Sequence, residues 1–117
     1  MSELFKQRII QELVPGRQIT LAHIIANPDP GVYASLAIKG KSSDGAIGVL
    51  TITPPETAII IADIAVKAAG VKIVSADRTG GSLIITGTVA EVEAAVGAIL
   101  EYVGEKLKFE VCALTKT

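Results

Sequence analysis

His23 is the single histidine and Cys112 the single cysteine of this 117-residue sequence, and neither has a partner at a spacing that would build a reactive site. A metal centre needs several imidazole, thiolate or carboxylate donors that converge, so a lone imidazole does not make one. Alternation through Ile19, Leu21, His23 and Ile25 places His23 on an apolar strand face, where it reads as a hydrogen-bonded structural residue. Cys112 can form no internal disulfide, and in the strand-like run 109–114 it reads as a small buried hydrophobe. No Ser-His-Asp order and no pair of carboxylates in a pocket can be assembled. The stretch Thr79, Gly80, Gly81, Ser82 lacks the lysine and following helix that a phosphate loop requires, so its first reading is a hairpin turn. Its functional alternative is a place where backbones of symmetry-related copies converge, as at a pore. Asp63 and Lys67 stand four apart with the acid first, the arrangement of a helical ion pair worth about 0.2–0.5 kcal/mol. A lysine on an otherwise apolar helix is also placed to reach a neighbouring assembly. No catalytic, cofactor-binding or metal-ligating residue is expected, and the chain reads as a non-enzyme.

Composition narrows the partners. Eleven basic residues against twelve acidic ones give a formal net charge of −1 without a basic block or acidic tail, so there is no electrostatic footprint for nucleic acid or anionic lipid. Half the residues are hydrophobic, but rings come only from Phe5, Tyr33, Tyr102 and Phe109, and stacking platforms for bases are poorly supplied. The opening Met1 to Lys6 lacks the basic-then-apolar layout of a signal peptide, and no apolar run approaches the roughly 20 residues that span a bilayer. A cytoplasmic protein is expected. The length suits one domain, which at this size buries roughly two-thirds of its unfolded surface.

Local patterns then give the elements. Two β-branched runs are separated by Pro15-Gly16, a pair suited to a turn. The breaker cluster 27–31 precedes a short helix expected over 32–39, with Gly40 as its C-cap, and a polar loop over 41–45. A strand over 46–52 is followed by Thr53, Pro54 and Glu56, read as an N-cap, a first-turn proline and an acid at the third position of a helix over 55–69. Strands over 71–76 and 83–86 flank the turn 77–82. Thr88 and Glu91 form a second capping box, opening a helix to about residue 104. Residues 109–114 close the order β-α-β-β-α-β, the ferredoxin-like α+β arrangement with two helices on one face of an antiparallel sheet.

The helix over 55–69 is wetter on one side than a core helix and drier than a surface one. Its charges Glu56, Asp63 and Lys67 fall within an arc of about 40° at 100° per residue. Apolar side chains cover an arc of roughly 220°, about twice what a helix needs to sit on one sheet. The second helix can cover part of that arc; contact with another subunit explains the rest better, because large bare apolar patches are rare on monomers.

The run Arg8-Ile-Ile-Gln-Glu-Leu-Val-Pro-Gly-Arg-Gln-Ile-Thr-Leu-Ala-His-Ile-Ile-Ala-Asn-Pro28 resembles the N-terminal signature of bacterial microcompartment shell proteins, specifically the circularly permuted single-domain hexamers of ethanolamine- and propanediol-utilisation compartments. Gly45-Ala-Ile-Gly-Val-Leu-Thr-Ile-Thr-Pro54, the stretch 63–70, the turn at Asp77-Arg78 and the ending 112–117 are similar to that family too. The resemblance implies a homohexameric disc, possessing no cofactor, that packs beside other shell proteins around encapsulated enzymes handling a volatile or toxic aldehyde. It implies two parts: an N-terminal segment, 1–16, in which Arg8, Ile9, Ile10, Gln11, Glu12, Leu13 and Val14 gather with their copies into an axial β-barrel over the pore, and a permuted shell domain, 17–117. It places Lys67, with Asp63, at the edge contact between hexamers and Thr79 to Ser82 at the pore turn. Two departures stand out: a longer polar loop at 40–44, and Thr79 where relatives carry an aromatic after Asp-Arg. Gly45, where that loop meets the first core strand, is a flex point at which the ring could leave flat six-fold symmetry. The competing expectation is a regulatory ferredoxin-like module that binds a small molecule at a subunit interface.

Overall fold

The computed structural model describes residues 16–38 and 45–117. In chain order the elements are β1 (Gln18–Ala26), α1 (Pro30–Ser35), β2 (Gly45–Thr53), α2 (Thr57–Ala68), β3 (Lys72–Asp77), β4 (Ser82–Thr88), α3 (Val89–Glu105) and β5 (Thr115–Lys116). The strands make one sheet in the order β3-β4-β2-β1-β5, antiparallel throughout except where β5 runs parallel to β1. Alternation along β2 turns Ala46, Leu50 and Ile52 toward the helices, where they join Ala58, Ile61 and Ala65 of α2 and Val92, Val96, Ile99 and Val103 of α3 in one core. Tyr33 of α1 covers the opposite face beside Thr86, and burial raises its phenol pKa. The capping box is present: the Glu91 amide donates to Thr88 Oγ1 at 3.1 Å, and the Thr88 amide donates to Glu91 Oε1 at 2.9 Å. That reciprocal pair sets the start of α3.

Four expectations need correction. Residues 109–114 do not form the closing strand. Antiparallel pairing of β1 with β2, from Gln18↔Thr53 to Ala26↔Ala46, fills the place beside β2 that the last strand would occupy. The C-terminal segment is left to pair on the outer side of β1, through a parallel bridge at Glu110 and the short β5. Cys112 accordingly lies outside any strand and is only half-buried, packed at the margin of the core.

The face assigned to His23 also changes. A bulge between Ile19 and Leu21 shifts the register, so Ile19, Ala22 and Ile24 enter the core while Leu21, His23 and Ile25 turn the other way. One extra residue is enough to invert everything downstream in a strand of period two.

The two helix starts move as well. Pairing with Gln18 keeps Thr53 in β2, and α2 begins at Thr57 with Glu56 at the N-cap making no side-chain cap. The turn before it is closed instead by main-chain bonds, Thr57 N–H to the Pro54 carbonyl at 3.0 Å and Ala58 N–H to the Pro55 carbonyl at 3.0 Å. For α1, Asp29 caps two residues earlier than expected, with Pro30 in the first turn, and the helix ends at Ser35. Gly40, its expected C-cap, lies outside the described residues, as do the barrel residues Arg8 to Val14 and the loop 40–44.

Candidate assembly surfaces

Helix α2 presents its charges along one ridge. Lys67 Nζ lies 2.8 Å from Asp63 Oδ2, and both side chains are well exposed. Hydrogen bonding to Asp63, then its charge, raises the Lys67 pKa above the ordinary lysine value. On one flank of the ridge, Ile60, Asp63, Ile64, Lys67, Ala68 and Tyr102 line a shallow apolar groove between α2 and α3. On the other flank Ile59 and Val66 stand exposed, so the arc predicted to exceed what the sheet covers is uncovered on both sides.

The turn 77–82 is the tight hairpin that its residues predicted, joining β3 to β4 with Asp77 paired to Ser82. Asp77 Oδ1 accepts from the Thr79 hydroxyl at 2.7 Å and the Thr79 amide at 3.0 Å. Gly81 has φ of +78°, its amide donates to the Asp77 carbonyl at 2.8 Å, and its carbonyl accepts from the Ile52 amide at 2.8 Å. The turn is therefore fastened to the junction between β2 and α2.

The Thr79 hydroxyl, followed by the Gly80 and Thr79 amides, holds the Asp77 carboxyl below the usual carboxylate range. A depressed folded-state pKa means the stabilisation is present above the unfolded value of about 3.9 and is lost as pH falls through the folded one. Asp77→Asn should accordingly lower the urea midpoint slightly at pH 7, and the gap to the parent protein should close below about pH 3.9. Parallel urea titrations at several pH values measure it; a gap that widens in acid would contradict the assignment.

Gly45 opens β2, buried, with its carbonyl accepting from the Asn27 amide at 2.8 Å and its partner in β4 being Thr88. His23 does form hydrogen bonds: Nδ1 lies 2.6 Å from Thr115 Oγ1, and Nε2 lies 3.0 Å from Thr117 Oγ1. These bonds belong to a fastening that local patterns did not reveal. Arg17 donates to the Leu107 carbonyl at 2.9 Å and sits 5.2 Å above the Phe109 ring, while Lys116 pairs with Glu93 of α3. These five contacts join residues distant in sequence, so no local pattern announced them. Among the described residues no His, Cys, Asp or Glu group gathers as a metal site, and no helix is long and apolar enough to cross a membrane.

Comparison with known proteins gives these surfaces a context. The family description "BMC domain" matches residues 46–114. The bacterial microcompartment shell protein CutR of Streptococcus intermedius is 52% identical over 110 residues, covering 94% of this chain and 92% of that protein. The shell protein EutS of Salmonella typhimurium is 48% identical over 112 residues, covering 96% of this chain and 98% of its own length. Among solved structures, a CutR flat hexamer superimposes with a TM-score of 0.82 at 48% identity, covering 89% of this chain and 94% of the other. A CutR screw with 41.9 Å pitch gives the same TM-score at 48% identity, covering 88% and 100%. The fold, the matched domain and the near full-length similarity together establish that the chain belongs to the bacterial microcompartment shell proteins and is a structural subunit of such a shell.

Proposed function

We propose that six copies close into a disc, that discs meet edge to edge through Lys67, and that the resulting layer, within the cytoplasm, encloses enzymes handling a volatile or toxic aldehyde. The chain is wall rather than catalyst, and its partners are itself, other shell proteins and the enclosed enzymes. What carries this reading is the position of the two marked features along α2. The turn Thr79 to Ser82 is fastened beside Pro55 at the start of the helix, and Lys67 stands near its far end. A helix rises about 1.5 Å per residue, so the two are separated by roughly 15 Å or more along its axis. If the turn lines the six-fold axis, the lysine faces the rim.

The flat CutR hexamer favours the disc, and the CutR screw favours an assembly able to leave flat six-fold symmetry. We assign the flex to Gly45, where β2 begins, because glycine permits backbone angles closed to other residues. Residues 1–16 cover the central opening, Arg8 to Val14 meeting their copies as a small barrel. Six equivalent subunits in every image averaged without imposed symmetry would remove the flex point from this account.

Lys67→Ala tests the rim assignment. The concentration needed to form sheets should rise on the order of tenfold, as for loss of one modest contact, while isolated discs persist in electron micrographs. Loss of the discs themselves would refute it. Deleting residues 1–16 should open the axis and leave the circular dichroism of the shell domain unchanged; collapse of that signal would contradict the two-part division.

A further inference from the structure

Exposed apolar side chains sit at both lateral edges of the sheet, and they differ. At one edge β3 pairs only with β4. Its Ile73 is 42% exposed and pairs with Ile85, a core residue, so directly opposed side chains put Ile73 on the helix side of the sheet. Ile59 and Val66, 51% and 41% exposed, occupy the flank of α2 turned away from α3, which is the flank over that same edge. At the opposite edge the C-terminal segment lies along β1, tied by the Ile19 amide to the Glu110 carbonyl at 2.8 Å and the Thr117 amide to the Ile24 carbonyl at 2.9 Å. There Val111 and Leu114 are 39% and 37% exposed. Val111 also belongs to the helix side, since a Cβ placed on Gly104 of α3 would lie 3.6 Å from its methyl groups.

A ring with more than two members must join two different patches on each subunit, head to tail, because a self-complementary patch closes at a dimer. The described residues supply two unlike apolar patches at opposite ends of the strand order, with Ile73 of one and Val111 of the other on the same side of the sheet. We infer that the ring closes by seating Ile59, Val66 and Ile73 of one copy against Val111 and Leu114 of the next. This rests on the proposed ring, and it identifies the occupant of each patch as a second copy of the chain. It also gives the C-terminal fastening a purpose: His23, Arg17 and Lys116 hold in place a segment that is itself half of the interface. The groove at Ile60 and Tyr102, on the other flank of α2, stays outside this contact.

Cysteine cross-linking tests the pairing. In a Cys112→Ser background, the double variant Ile73→Cys with Val111→Cys, treated with a short bismaleimide, should give a ladder on denaturing gels up to six subunits. Either single variant should stop at traces of dimer. Strong dimer from Ile73→Cys alone, or no ladder while native mass spectrometry still finds six-copy rings, would overturn the pairing and leave the ring standing. Absence of rings in the untreated parent protein would overturn both. As a second measure, Val66→Asp should shift six-copy particles to single copies by at least tenfold with an unchanged circular dichroism spectrum; intact rings in that variant would count against the interface.

Discussion

Gly81→Ala should lower the stability of the shell domain by about 3 kcal/mol, the sum of forcing a side chain into positive φ and into an occupied space. A Cβ at this position would lie 2.2 Å from the Ile52 carbonyl oxygen and 3.1 Å from Pro55 Cα, both main-chain atoms that cannot step aside cheaply. The hydrogen bond from the Ile52 amide to the Gly81 carbonyl would be displaced with them. In thermal unfolding at fixed protein concentration this corresponds to a fall in Tm of roughly 12 °C or more. Gly97→Ala is the matched control. That glycine lies in α3 with nothing within 4 Å of the added methyl, so the same substitution should stabilise by about 0.5–1 kcal/mol through helix propensity. Equal effects at the two positions would mean that the turn is not fastened as described.

The second large effect is expected at Leu50. It stands in the middle of β2, between Ala22 of β1 and Leu83 of β4, and is fully buried beneath the helices. Leu50→Ala removes its transfer free energy and leaves a cavity among branched neighbours, costing about 3–4 kcal/mol. Denaturant melts read this as a lower midpoint with little change in slope. A loss below about 1 kcal/mol would show that the layer between sheet and helices collapses to fill the space, contrary to the close packing of interiors. Because ring closure adds stability by mass action, both variants are best compared at one protein concentration.

These two sites mark the division between what could be read along the chain and what could not. The strand that carries Leu50 was legible as a β-branched apolar run, whereas the burial of Leu50 itself came from the helices that cover the sheet. The capping box of Thr88 and Glu91, the hairpin at Asp77 to Ser82, the amphipathic α3 and the excess apolar arc of α2 were legible as well: each is settled by residues within a few positions of one another. The Asp63 and Lys67 ion pair belongs with them.

What only the tertiary structure decided are the matters that depend on a partner distant in sequence. The place beside β2 went to β1 rather than to residues 109–114, since either could pair there and local pattern does not choose between two strands competing for one edge. Thr53 was held in β2 by Gln18 and so lost its capping role. The bulge at Ile19 to Leu21 turned His23 to the other face, and its contacts with Thr115 and Thr117 bridge more than ninety positions. The sequence by itself therefore determined the elements, their amphipathic faces and the need for a second surface. The fold decided which strand occupies which slot and where the turn sits relative to the lysine, because long-range pairing is a choice among sites that are locally equivalent.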